Sequence, residues 1–145
     1  MRIDHLCRLT ARSRTDALRA PLNASVSGLT MSTLCIQVQP SRVPTLDLAR
    51  VRELAEDIAS DRALVSRVQF NEGFDRIPYI NVMFQTDRLA ELWAAISRIM
   101  YNDLSIGQSL REASMAMCEG DKGWNNYLQL HHFDPAVELA HLDAR

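Results

Sequence analysis

From Ile77 to Tyr101 the chain reads IPYINVMFQT and then DRLAELWAAISRIMY, and the spacing of its apolar positions changes from two to about 3.6 at Asp87. Before that junction Ile80, Val82 and Phe84 fall on one side of an extended segment, with Tyr79, Asn81, Met83 and Gln85 on the other. This predicts a strand covered on one face. After the junction Leu89, Leu92, Trp93, Ile96, Ile99 and Met100 recur at helical intervals, with Asp87 placed to cap the first free amides. This predicts a helix docked on the sheet.

The same reading extends in both directions. Leu34, Ile36 and Val38 alternate with Cys35, Gln37 and Gln39, which predicts a first strand over Thr33–Gln39. Leu48, Val51, Leu54, Ala55 and Ile58 then trace a helical stripe that starts at Thr45 or Asp47 and ends near Asp61. Leu64, Val68 and Phe70 alternate with Val65, Arg67 and Gln69 in a second strand, and NEGFDR, Asn71–Arg76, reads as a hairpin loop before the third. After an interruption at Gly107, Ala113–Cys118 reads as a short strand, followed by a GDKG turn and another strand over Asn125–Phe133. Asp134 and Pro135 have the chemistry of the start of a last short helix. The order β-α-β-β-α-β predicts an α+β, ferredoxin-like sandwich: two helices on one face of an antiparallel sheet, with an added C-terminal strand.

The 145 residues suit one core, 47% are hydrophobic and 23% charged, and no apolar run is long enough to cross a bilayer. A formal charge of −2 argues against nucleic acid and anionic membranes as partners. Residues 1–30 carry +3 and the remainder −5. The sequence therefore divides into an Arg-rich arm, residues 1–31, expected to be disordered, and a single acidic domain, residues 32–145. Lys122 is the one lysine against fifteen arginines, a skew that suggests a GC-rich bacterial source. Cys7, Cys35 and Cys118 show neither a disulfide framework nor zinc spacing, which fits a reducing cytoplasm.

Chemistry is concentrated between Cys118 and Asp134. A Cys-His pair needs its thiol within hydrogen-bond reach of an imidazole, and pairing across GDKG would set Cys118 opposite Asn125 or Asn126, away from His131 and His132. Adjacent His131 and His132 on a strand point to opposite faces and make a poor metal pair. One of them is expected to pack inside and bond a carbonyl. No phosphate-loop, dinucleotide, nucleophile-elbow or zinc-protease motif occurs. The sequence thus predicts no catalytic residue, metal or cofactor.

The remaining feature is the sheet face opposite the helices. It would display Cys35, Gln37, Gln39, Arg67, Gln69, Tyr79, Asn81, Met83 and Gln85, a set rich in amide, aromatic and thioether groups with very little charge. Such a composition suits burial by a partner. Trp124, after the Gly-rich turn, and Phe74, in the hairpin, are further contact candidates as aromatics in loops. The expected function is a non-catalytic protein-binding domain, as a homodimer or as an immunity protein that neutralises a toxin. The alternative is a small-molecule site on that face, with Arg67 holding an anionic group, Tyr79 and Asn81 lining it and His131 as acid or base.

Overall fold

The computed structural model describes residues 30–142, so all but the end of the predicted arm lies outside the described residues. Among these, five strands form one antiparallel sheet: β1 (Ser32–Val38), β2 (Arg67–Asp75), β3 (Ile77–Thr86), β4 (Ser114–Gly120) and β5 (Gly123–His131). Their spatial order is β2-β3-β1-β4-β5. Three α-helices, α1 (Leu48–Ala59), α2 (Leu89–Ile96) and α3 (Gly107–Ala113), complete an α+β fold. No helix among the described residues is long and apolar enough to cross a membrane.

Strand β1 is central and is buried on both faces, so that Cys35 and Gln37, expected on an open face, lie in the interior. Its even positions Leu34, Ile36 and Val38 join Val82 and Phe84 of β3 and Ala116 and Cys118 of β4 in one apolar cluster. To the same cluster α1 contributes Val51, Leu54 and Ile58, α2 Leu92 and Ile96, and α3 Leu110 and Ala113. A second, smaller cluster holds Cys35, Met83 and Met117, with Trp124 and Tyr127 packed against it. Pleat alternation puts the two clusters on opposite faces of the sheet.

Asp47 caps α1 as expected, its carboxylate accepting from Arg50 N at 3.1 Å. Asp87 does not cap α2. The N-cap position falls on Arg88 with no side-chain cap, while the Thr86 hydroxyl accepts from Arg88 N at 2.8 Å and donates to Leu64 O at 2.6 Å, tying the helix start to the loop before β2. Leu64 and Val65 lie in that loop rather than in a strand, held by bonds from both amides to Asp61 O.

The expected loop Asn71–Arg76 is instead mostly strand, since β2 stays paired with β3 from Arg67↔Gln85 to Asp75↔Ile77 and the reversal is confined to Arg76 at φ 66°. The Tyr79 ring lies across Gly73, where a Cβ would collide with the phenol oxygen, so the glycine serves cross-strand packing instead of a turn. Helix α3 occupies the stretch that the pattern gives as an interruption at Gly107. Asp134 and Pro135 start no helix among the described residues: Asp134 accepts from Ala136 N at 2.9 Å and Val137 N at 3.2 Å, closing a local turn.

Candidate functional site

The middle of the face predicted to be open, on β1 and β3, is buried. Cys35, Gln37, Asn81 and Met83 are all 0% exposed, and Gln39, Gln85, Met115 and Met117 are also buried. Arg67 is exposed at the start of β2, while Gln69 and Tyr79 are half-buried. In the middle of this face the side-chain amides form a ladder across β1 and β3. Arg42 donates to Gln39 Oε1, Gln39 Nε2 donates to Gln37 Oε1 at 3.1 Å, and Gln37 Nε2 donates to Asn81 Oδ1 at 3.2 Å. The Arg42 guanidinium lies 3.5 Å from the centre of the Phe133 ring, closing the outer end of the ladder. Asn81 Nδ2, Gln69 Oε1 and Trp124 Nε1 are buried without a hydrogen-bond partner. Trp124 is therefore a covering residue of the second cluster rather than a free loop aromatic.

Of the two aromatic candidates, only Phe74 is presented to solvent. It is 72% exposed near the end of the β2–β3 hairpin, directly opposite Pro78.

His131 does not join Arg67, Tyr79 and Asn81. It is paired with Ala116, a residue of the large cluster, whereas Asn81 is paired with Gln37 on the other face. As expected for an inward imidazole, its Nε2–H donates to a carbonyl, Arg111 O, at 2.9 Å. Its ring lies 4.7 Å from that of Tyr101, which itself meets Trp93 edge-on at 5.8 Å. His132 turns away, stacking on Phe133 and accepting from Asp134 N at 2.9 Å. Cys118 pairs with Leu128, not with Asn125 or Asn126, and burial followed by the charge of Glu119 pushes its thiol up to about 12. It is an unreactive core thiol.

Trp93, Ser97, Tyr101, Asn102, Arg111 and His131 line a cleft of about 210 Å³. Its wall is a π-helical turn, Ser97–Tyr101, that continues α2. The turn is held by Arg111, whose Nε donates to Tyr101 O at 3.0 Å while the other arm reaches Asn102 Oδ1. The Tyr101 hydroxyl donates to Ser114 Oγ at 2.7 Å, which donates to Leu110 O at 2.6 Å, and its burial raises the phenol pKa. Asp103 organises the following loop. Its carboxylate accepts from the Ser105 hydroxyl at 2.6 Å, Ser105 N and Ile106 N at 3.0 Å and Arg50 at 3.1 Å, and these bonds, Ser105 first, hold it down at about 2.

Gly107 sits against the π turn with no room for a side chain. A Cβ there would lie 2.6 Å from Tyr101 O and 3.1 Å from Tyr101 C, both backbone atoms. Helix propensity alone would make Gly107→Ala stabilising by up to about 1 kcal/mol. The collision reverses the sign, and a loss of about 1–3 kcal/mol is expected in urea denaturation; a stabilised variant would show that the turn yields freely.

Burial lowers the His131 pKa against the opposing hydrogen bond to Arg111 O. With the folded value below the unfolded one of about 6.5, stability from this group is full above that pH and is lost as pH falls below it toward the folded pKa. His132 is shifted down by its own burial. His131→Gln is therefore expected to flatten, without abolishing, the decline in urea midpoint between about pH 7 and 5; an unchanged profile would contradict the assignment.

Among the described residues no group of three His, Cys, Asp or Glu side chains gathers to hold a metal. The cleft was not legible in the sequence, because Trp93 and Arg111 come from different helices and the π turn between them follows no period. Compared with known protein families, curated proteins and solved structures, the chain matches none.

Proposed function

We propose that this chain is a non-catalytic protein-interaction domain that associates with a second copy of itself, on a ferredoxin-like scaffold with its helices on one face of the sheet. The observation that carries the reading is Phe74, a large ring held 72% exposed near the end of a long hairpin by regular strand pairing. Rigid exposed aromatics supply contact area at small entropic cost. A toxin-neutralising immunity protein of a bacterial cytoplasm is one concrete form that such a domain could take. Analytical ultracentrifugation of the full chain tests the reading: wild type is expected to dimerise and Phe74→Ser to dissociate more readily, whereas a wild type monomeric at every concentration would overturn it.

A second reading, small-molecule binding, is favoured by the convergence of Trp93, Arg111 and His131 on one cleft. The volume is below the several hundred cubic ångströms usual for ligand sites, which restricts it to a small molecule. Titration with benzoate, an aromatic anion matched to these groups, is expected to shift the Trp93 and His131 NMR resonances together if the cleft binds; no shift would remove this reading.

A further inference from the structure

The two edges of the sheet differ. Strand β5 is guarded, because its pairing with β4 is broken by register shifts between Ala116 and Met117 and between Cys118 and Gly120, and Ala140 N donates to Gln129 O at 2.7 Å across its outer side. Strand β2 is not. It runs nine residues, RVQFNEGFD, in unbroken register with β3, without proline or lysine, and no described residue bonds along its outer edge.

We infer that β2 is the dimer interface, pairing antiparallel with β2 of a second copy about a two-fold axis at Asn71 so that the two sheets become one. This rests on the self-association reading above and adds to it the surface and the register. In that register Arg67 stands opposite the partner copy's Asp75 at both ends, Val68 opposite Phe74, Gln69 opposite Gly73 and Phe70 opposite Glu72. Each feature of the isolated strand is thereby answered. Among the described residues Arg67, Glu72 and Asp75 have no ion-pair partner, and the pairing supplies one for Arg67 and Asp75 twice over. Phe74, exposed in the single chain, gains Val68 beside it. Arg52, whose guanidinium lies 4.0 Å from the centre of the Phe70 ring, stands on the face where the partner's Glu72 arrives.

The charges also reject neighbouring registers. Moving the axis to Glu72 sets two like carboxylates directly opposite one another, and moving it to Phe70 leaves Arg67 facing Gly73 and unpaired. The strand thus carries its own selection rule.

The experiment is sedimentation equilibrium on the full chain, comparing wild type with Arg67→Asp, Asp75→Arg and the double variant, with circular dichroism reporting the fold. Each single reversal converts two attractive cross-strand pairs into two repulsive ones and is expected to weaken dimerisation by about tenfold or more. The double reversal restores both pairs and is expected to return to within about threefold of wild type. Folded single variants that dimerise as wild type does, or a double variant no better than the singles, would overturn the β2 register while leaving self-association standing. A monomeric wild type would overturn both.

Discussion

Gln37→Leu is expected to destabilise the fold by about 2–5 kcal/mol in urea denaturation, even though it places an apolar side chain in a fully buried site. Gln37 is the middle rung of the amide ladder, donating to Asn81 at 3.2 Å and accepting from Gln39 at 3.1 Å. Its removal leaves Asn81 Oδ1 and Gln39 Nε2 buried without partners, and each such group costs about 1–3 kcal/mol. Adding Asn81→Leu removes one of the orphaned groups together with Asn81 Nδ2, which is already unpartnered. The double variant should therefore be more stable than Gln37→Leu alone, a coupling readable in a double-mutant cycle. A neutral single variant would mean that the ladder contributes nothing net.

Phe84→Ala tests the other face and is expected to cost about 3–5 kcal/mol, lowering the melting temperature by more than about 10 °C. Phe84 is 0% exposed, flanked on neighbouring strands by Leu34 and Val68, and belongs to the cluster shared by the sheet and all three helices. The ring fills space to which both layers contribute, so its loss leaves a cavity that neither layer can close by itself. Phe84→Leu, keeping most of the volume, should recover more than half of the loss. A cost below about 1 kcal/mol for Phe84→Ala would place the core elsewhere.

The contrast between these faces explains what the sequence could reveal. Strands β1 and β3 were legible because Leu34, Ile36, Val38, Val82 and Phe84 alternate cleanly with polar and thioether residues, and α1 because its stripe starts at a capping Asp47. The polar face was legible as a face but not as a buried one. Alternation says which residues share a side of a strand, whereas burial depends on what lies over that side, and the buried Gln37 finds its partners in Asn81 and Gln39. Local composition misled at the hairpin, where Asn71, Gly73 and Asp75 have turn chemistry, yet Gly73 is there to admit the Tyr79 ring. It misled again at Gly107, read as an interruption although it opens α3, because a side chain there would collide with the Tyr101 carbonyl. In both places the glycine answers a contact with a tyrosine six positions along the chain, made by the fold and not by the local turn or helix pattern. Of the candidate site residues, Phe74 and Arg67 are at the surface, and Gln37, Asn81 and Met83 hold the interior together.

The most direct measurement on the interface is disulfide trapping through Asn71→Cys in a Cys7→Ser background, where the two remaining thiols, Cys35 and Cys118, are buried. The two-fold axis brings position 71 of one copy opposite position 71 of the other, with Cβ atoms about 4.5–5.5 Å apart, so that a small local shift reaches the roughly 3.5–4.5 Å that a disulfide spans. Rapid, near-complete conversion to a covalent dimer of twice the 16.4 kDa chain mass is expected, with the circular dichroism of the fold retained. A chain that stays monomeric under oxidation, or that cross-links no faster than an Asp121→Cys control at the β4–β5 turn, would contradict it.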